Sequence, residues 1–284
     1  MTVVGTGDLM AEAQDRGRAL AAFNVITLEH AEAIVAAASQ AGRGVVLALS
    51  ENAIRYHDGA AEPVLAAAHA LASRAETPLG IHLDHLIDDA LVDEAIDGPL
   101  RPYVSSLMYD GGALPYAANL ARTQQVVEAG HAAGLWVEAE LGYVGGKAGA
   151  AQSAHAPGVR TDPDEAVAFV AATGVDALAV AVGSSHAMTT RTASLDHELI
   201  GRLRDAVPVP LVLHGSSGVP DDQLRAAVEH GMVKINVGTA LNIAFTDAIR
   251  ATGLDRSDPR GYLAPAREAI AATVTHLLGV LSRK

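Results

Sequence analysis

The sequence predicts an α/β fold: a (βα)8 TIM barrel with one extra helix before the first strand and another after the eighth unit. Three observations predict it. Short β-branched or apolar runs alternate along the chain with Ala-rich stretches of helical spacing, and no linker or low-complexity tract interrupts them. Eight such runs fit into 284 residues, the usual size of one barrel, so residues 1–284 are expected to form a single domain. Runs such as ALAVAV at 177–182 are apolar on both faces, as strands of a parallel sheet covered by helices must be. A doubly wound nucleotide-binding sheet is the rival, but Phe23-Asn24 closes the first run with no GxGxxG turn after it.

The elements follow in order. Leu9–Arg16 is the expected N-terminal helix, and Leu20–Val25 the first strand. Leu28–Gln40 has helical spacing and stops before Gly42; Gly44–Ser50 is the second strand, and Glu62–Arg74 the helix that follows it. Leu79–Asp84 and Tyr103–Tyr109 are the third and fourth strands, and Tyr116–Ala133 is a helix ended by Gly134. Leu135–Leu141 is the fifth strand. Asp162-Pro163 opens the helix Pro163–Thr173, which Gly174 ends, and Ala177–Gly183 is the sixth strand. Pro210–His214, the helix Asp221–Glu229 with Pro220 before it and Gly231 beyond it, and Val233–Val237 complete the eight strands. Ala264–Leu281 is the added C-terminal helix.

Composition narrows the function classes. Half of the residues are apolar and 19% charged, which builds a core and excludes general disorder. Aromatics are only 4%, so Ala, Val, Leu and Ile must fill that core. A formal charge of −13 with no basic block argues against nucleic-acid binding. With no cysteine, disulfides and thiolate metal sites are excluded. No basic leader is followed by an apolar run, and no stretch has the ~18 apolar residues of a membrane span. The expectation is a soluble cytoplasmic protein without membrane or nucleic-acid partners.

In this barrel the active site lies at the C-terminal ends of the strands. The polar residues expected there are His82, Asp84, His85, Asp110, Glu138, Glu140, Ser184, Ser185, His186, His214 and Asn236. Of the twelve histidines, His30, His69, His131, His230 and His276 fall on expected helices, where solvated or capping roles suffice. His85, His186 and His214 differ, because three separate strands deliver them to one rim. One such histidine alone is more often structural; three converging imidazoles are a catalytic zinc set, suited also to other divalent transition metals. His82 and Glu138 are candidates for the outer shell that fixes ring tautomers. Asp84 can serve as general acid or base, or as a turn residue. Asp110 and Glu140 can form a second carboxylate metal site or simply orient the histidines. Two turns look phosphate-directed: Gly215, Ser216 and Ser217 after strand seven, and Asn236, Val237, Gly238 and Thr239 where strand eight meets a helix.

The segments IHLDH (81–85), VEAELGYVGG (137–146), AVGSSHAM (181–188), LHGSSG (213–218), KINVGT (234–239) and DPRGYLAPAREAI (258–270) resemble the class II, metal-dependent ketose-bisphosphate aldolases, which include the fructose- and tagatose-1,6-bisphosphate enzymes. The resemblance runs in unbroken order from about Asp8 to the C-terminus. It implies His85, His186 and His214 as catalytic Zn2+ ligands, and Asp84 as the aspartate exchanging a proton with the oxygen of the aldehyde half. It implies Asp110 and Glu140 at a second, non-catalytic metal position, with a monovalent cation as a further candidate. Gly215–Ser217 and Asn236–Thr239 match the segments that hold dihydroxyacetone phosphate, and Asn24 and Ser50 match active-site polar residues of the first two strands. Arg260 matches an arginine that reaches a neighbouring subunit's distal phosphate, which implies a homodimer or homotetramer. No Schiff-base lysine is needed, and strands one to seven carry no lysine.

The sequence also departs from the family pattern. His186 is followed by Ala187 where glycine is common, and the turn after His214 reads GSSG rather than GG[ST]G. The loop after Gly145-Gly146 reads Lys147-Ala148-Gly149-Ala150, without the usual acidic pair, and His155 is its candidate substitute base. Met188-Thr189-Thr190-Arg191 stands where a Tyr-Lys-Gly stretch is usual. The expected function is a zinc-dependent aldolase acting on a ketose 1,6-bisphosphate. The alternatives are a divergent class II aldolase with another phosphorylated substrate, and a non-catalytic barrel subunit.

Overall fold

A computed structural model describes residues 3–141, 160–255 and 257–282. The loop 145–150 and His155 lie outside the described residues. Eight parallel strands close into a barrel in chain order: β1 (Leu20–Asn24), β2 (Val45–Ser50), β3 (Leu79–Leu86), β4 (Ser106–Tyr109), β5 (Trp136–Leu141), β6 (Ala177–Val180), β7 (Leu211–Leu213) and β8 (Met232–Val237). The seam is the β1–β8 pair, with Leu20 opposite Lys234 and Ala22 opposite Asn236. This is the TIM barrel the sequence predicts.

Eleven helices are described: α1 (Thr6–Asp15), α2 (Leu28–Ala41), α3 (Glu51–Tyr56), α4 (Glu62–Arg74), α5 (Asp89–Ile96), α6 (Tyr116–Ala132), α7 (Pro163–Thr173), α8 (His197–Ala206), α9 (Asp221–His230), α10 (Thr239–Thr252) and α11 (Arg260–Val280). The short α3, α5 and α8 each begin on a side-chain cap: Ser50, Asp88 and Asp196 accept from the backbone N–H groups of Ala53, Ala90 and Leu199. No helix among the described residues is long and apolar enough to cross a membrane.

Strand alternation divides the core in two. Outward residues such as Phe23, Leu47, Leu83, Val137, Leu178 and Ile235 pack against the helices. Inward residues Leu20, Ala22, Val46, Met108, Ala177, Ala179 and Val212 fill the barrel together with Leu9, Met10 and Ala13 of α1. Helix α1 is therefore a plug under the strand starts. It approaches so closely that a Cβ on Gly44 would stand 2.7 Å from Leu9 Cδ2. Toward the other end the inward positions turn polar: Asn24, His82, Asp84, Ser106, Glu138, Glu140, Lys234 and Asn236.

Some expected bounds shift. Residues Arg101–Tyr103 form a 3-10 turn around Pro102, so β4 starts at Ser106 rather than at Tyr103. β6 ends at Val180, before Gly183. α11 begins at Arg260, earlier than Ala264. His30, expected to be solvated or capping, is not solvated: it is only 2% exposed, bonded through Nδ1 to Oγ1 of Thr27, the residue before α2, at 3.1 Å and through Nε2 to Asn242 Oδ1 at 3.3 Å. It lies on the face of α2 that meets α10, a packing the helical pattern alone does not reveal.

Candidate active site and metal centre

The polar end of the barrel is assembled strand by strand. On β3 the regular alternation points His82 and Asp84 inward, and would point His85 outward. It does not, because the β3–β4 register shifts between Leu83 and Leu86 and His85 takes a left-handed backbone at φ 54°. Bulges of this kind re-aim side chains beside active sites. His214 follows directly on β7, and His186 comes from the loop after β6. The imidazole of His85 then stands edge-on to both others, with ring centroids 4.6 Å from His214 and 5.0 Å from His186. One nitrogen from each of the three lies within 4.8 Å of the others. Three imidazoles at that spacing make a donor set suited to a divalent transition ion with an open position for substrate.

His85 and His214 are each oriented by a carboxylate. His85 Nδ1 is 2.8 Å from Asp110 Oδ2 and 3.7 Å from Glu140 Oε2. His214 Nε2 is 2.8 Å from Glu138 Oε1, and the other carboxylate oxygen of Glu138 accepts from Lys234 Nζ at 2.7 Å. Burial opposes the charge of Glu138, but Lys234 and the bond to His214 prevail and pull its carboxyl down to about 2. His85, Asp110 and Glu140 also bring ligand atoms within 4.8 Å of one another, so both roles raised for the two carboxylates are geometrically available.

Asp84 is buried between two amides: Asn24 Nδ2 donates to Oδ2 at 2.9 Å and Asn236 Nδ2 to Oδ1 at 3.1 Å. Burial again opposes ionisation, but interactions with His85, His214, His82 and Lys234 favour the charged form and hold this carboxyl well below its ordinary range. His82 is not an outer-shell partner of the three-histidine cluster. Its Nδ1 meets Ser106 Oγ at 2.8 Å, and Ser106 in turn meets Thr6 Oγ1 of the plug helix at 2.6 Å.

The two turns expected to bind phosphate lie side by side. Gly215 has φ 67°, and a Cβ there would stand 2.6 Å from the Ser185 carbonyl carbon, so glycine lets the turn after β7 pass the His186 loop. Ser216 Oγ donates to the Asn236 carbonyl, and Ser217 Oγ accepts from the Ala240 N–H at 3.0 Å. Val237, Gly238 and Thr239 lead from β8 into the start of α10, the positive end of a helix, beside the Ser217 hydroxyl. A cavity of about 300 Å3, lined in part by Ser216, Ser217, Val237, Ala240 and Arg191, opens beside them.

Other expected residues are placed less centrally. Ser50 sits opposite Asp84 in the β2–β3 register, but its hydroxyl caps α3. Arg260, at the outer start of α11, has an 89% exposed side chain and pairs with Asp258 at 2.7 Å rather than with the histidine cluster. Arg191 is tied to the backbone: Nε and Nη2 donate to the Val219 carbonyl at 3.0 and 2.7 Å, and Nη2 also to Asp221. Ala187 stands at φ 58°, the left-handed region where glycine is free of strain.

Sequence reasoning missed Lys234 and the Thr6–Ser106–His82 chain. A signal for Lys234 existed: in VKINV it shares the inward face with Asn236. Glu51 was also missed. It is buried at the start of α3, where it accepts the N–H groups of Ile87 at 2.6 Å and Asp88 at 3.0 Å and so braces the turn that follows His85.

A protein-family model described as fructose-bisphosphate aldolase class-II matches residues 4–284. Among solved structures, a putative fructose-1,6-biphosphate aldolase from Coccidioides immitis is 29% identical with a TM-score of 0.87, covering 97% of this chain and 95% of that one. The YdjI aldolase from Escherichia coli K12 is 28% identical with a TM-score of 0.83, covering 99% and 97%. A fructose-bisphosphate aldolase from Campylobacter jejuni, 21% identical at a TM-score of 0.83 over 99% and 95%, shares the fold.

Proposed function

Since the chain belongs to the class II fructose-bisphosphate aldolase family and is thus an aldolase, a carbon–carbon lyase, we propose that it reversibly cleaves a ketose 1,6-bisphosphate, of fructose or tagatose configuration, to dihydroxyacetone phosphate and glyceraldehyde 3-phosphate. The convergence of His85, His186 and His214 beside Asp84 carries this reading. We assign these three as ligands of a catalytic zinc ion. When bound, such an ion supplies Lewis-acid polarisation of the substrate carbonyl and stabilises negative charge developing there.

The chain's own residues supply the rest. Asp84, held ionised by its surroundings and fixed by Asn24 and Asn236, takes the proton from the hydroxyl oxygen of the aldehyde half as the carbon–carbon bond breaks, and returns it in condensation. Gly215–Ser217 and Asn236–Thr239, where β8 leads into the positive end of α10, bind the phosphate of the dihydroxyacetone half. This local cradle is what an otherwise acidic protein requires. Ser50 is assigned to the substrate-binding wall beside Asp84. Asp110 orients His85 through its 2.8 Å contact, and Glu140 backs it; a second cation on the same groups would take the place of that hydrogen bond. Arg260 is assigned to the distal phosphate of a partner subunit's substrate in a homodimer or homotetramer, which its exposure supports.

A second reading has its own observation. Arg191, in the segment where the family tends to carry a Tyr-Lys-Gly stretch, is committed to Val219 and Asp221. This favours a divergent aldolase with a different phosphorylated substrate. A non-catalytic subunit is set aside, because the histidines and Asp84 are all kept. The test is a coupled assay with fructose- and tagatose-1,6-bisphosphate, before and after EDTA and with zinc added back. Metal-restored cleavage of either sugar supports the leading reading; tight zinc binding without cleavage moves the assignment to the divergent one; cleavage indifferent to EDTA defeats both.

A further inference from the structure

A lysine with no exposed surface, inside a barrel whose mouth already gathers histidines and carboxylates, requires a physical reason. Lys234 projects inward from β8 and donates to Glu138 on β5; both side chains are 0% exposed. Glu138 divides its oxygens: Oε2 faces Lys234 Nζ at 2.7 Å, and Oε1 faces His214 Nε2 at 2.8 Å. An ammonium only donates, so Oε2 is an acceptor. A carboxylate only accepts, so His214 must carry its proton on Nε2. The ring nitrogen it can then offer a metal is Nδ1, with its lone pair available.

We infer that Lys234 and Glu138 are positioning residues that select the His214 tautomer competent for metal binding. The inference rests on the assignment of His214 as a metal ligand. Lys234 does more than balance charge, because it fixes which way round any group at position 138 must face. Consider Glu138→Gln. The ammonium still demands an acceptor, so the amide oxygen turns to Lys234 and the amide nitrogen to His214. Its N–H then donates to Nε2, the ring proton moves to Nδ1, and the ligating lone pair is lost. In the double variant E138Q/K234M nothing fixes the amide. It can turn its oxygen to His214, and the ligating tautomer is accessible again. Two changes that each look damaging are thereby expected to compensate.

The experiment combines zinc affinity, by competition with a chromophoric chelator, with 15N NMR of the histidine rings in the metal-free protein. Wild type is expected to show His214 protonated on Nε2. E138Q should move the proton to Nδ1 and weaken zinc binding about 10- to 100-fold, the usual effect of losing an outer-shell partner. E138Q/K234M should regain most of that affinity, with circular dichroism confirming that both variants are folded. An E138Q protein that keeps the Nε2 tautomer and its affinity overturns the inference. So does a double variant no better than E138Q, which would mark Glu138 as a buried acceptor without tautomer control. Should the variants not fold, the wild-type spectrum still decides, since a proton on Nδ1 contradicts the inference. Failure of wild type to bind zinc while the Nε2 tautomer is present would instead defeat the metal assignment and leave the orienting pair standing.

Discussion

Lowering the pH should destabilise the metal-free protein in a way traceable to His82. This ring is fully buried at the barrel axis, bonded through Nδ1 to Ser106, and burial first and the Lys234 charge second push its pKa down to about 3 from 6.5. The folded state thus holds a neutral imidazole over the whole interval in which the unfolded chain takes up a proton. Between those limits the unfolded state binds more protons, so stability falls as the pH drops below about 6.5 and continues to fall toward 3. Each pH unit in that range costs about 1.4 kcal/mol, and integration from pH 7 to pH 5 gives about 2 kcal/mol. His30, also buried and shifted downward mainly by desolvation, adds a loss of the same sign. Urea unfolding of wild type and His82→Gln at pH 7 and pH 5, at constant ionic strength, isolates the His82 share. Wild type should lead the variant by about 2 kcal/mol less at pH 5 than at pH 7. A lead that changes by less than about 0.5 kcal/mol would refute the argument, because His82 would then titrate alike in both states.

Other outcomes follow from single contacts. Asp84→Asn keeps the shape offered to Asn24 and Asn236 but removes the base, so kcat should fall about 100- to 10,000-fold with zinc content unchanged in metal analysis. Gly215→Ala forces a side chain into a left-handed backbone and against Ser185; calorimetry should show about 1–2 kcal/mol lost and kinetics a raised KM for the phosphorylated substrate. Leu9→Ala empties part of the plug beneath the barrel and should cost about 3 kcal/mol of stability while leaving kcat near wild type, since the reacting end is opposite. If Arg260 serves the neighbouring site, Asp84→Asn and Arg260→Ala proteins, each inactive, should regain activity after mixing and subunit exchange; no gain in a mixed oligomer would place Arg260 outside the site.

Much of the protein was legible in one dimension because its periodicities are strict. Apolar runs broken by capped Ala-rich helices admit little else than a (βα)8 chain, and period two puts Glu138 and Glu140 on one face of β5 without any coordinates. The order of the strands likewise placed His85, His186 and His214 at a single rim. Patterns of this sort report which face a residue takes while the element stays regular. They do not report where an element breaks its rule. Alternation puts Asp84 and His85 on opposite faces, and only the register shift against β4, with the left-handed turn at His85, brings both to one site.

The same division holds for pairings across the barrel. Sequence alone determined the fold class, the rim histidines and the two glycine-containing turns, since these depend on local spacing and on strand order. The tertiary structure alone decided that Lys234 meets Glu138 and through it His214, that Arg191 is held by Val219 and Asp221, and that His30 is buried between α2 and α10. Those contacts join residues far apart in the chain, and the free energy that makes them depends on what else is excluded from water at the same point. No local pattern carries that information; closure of the barrel supplies it.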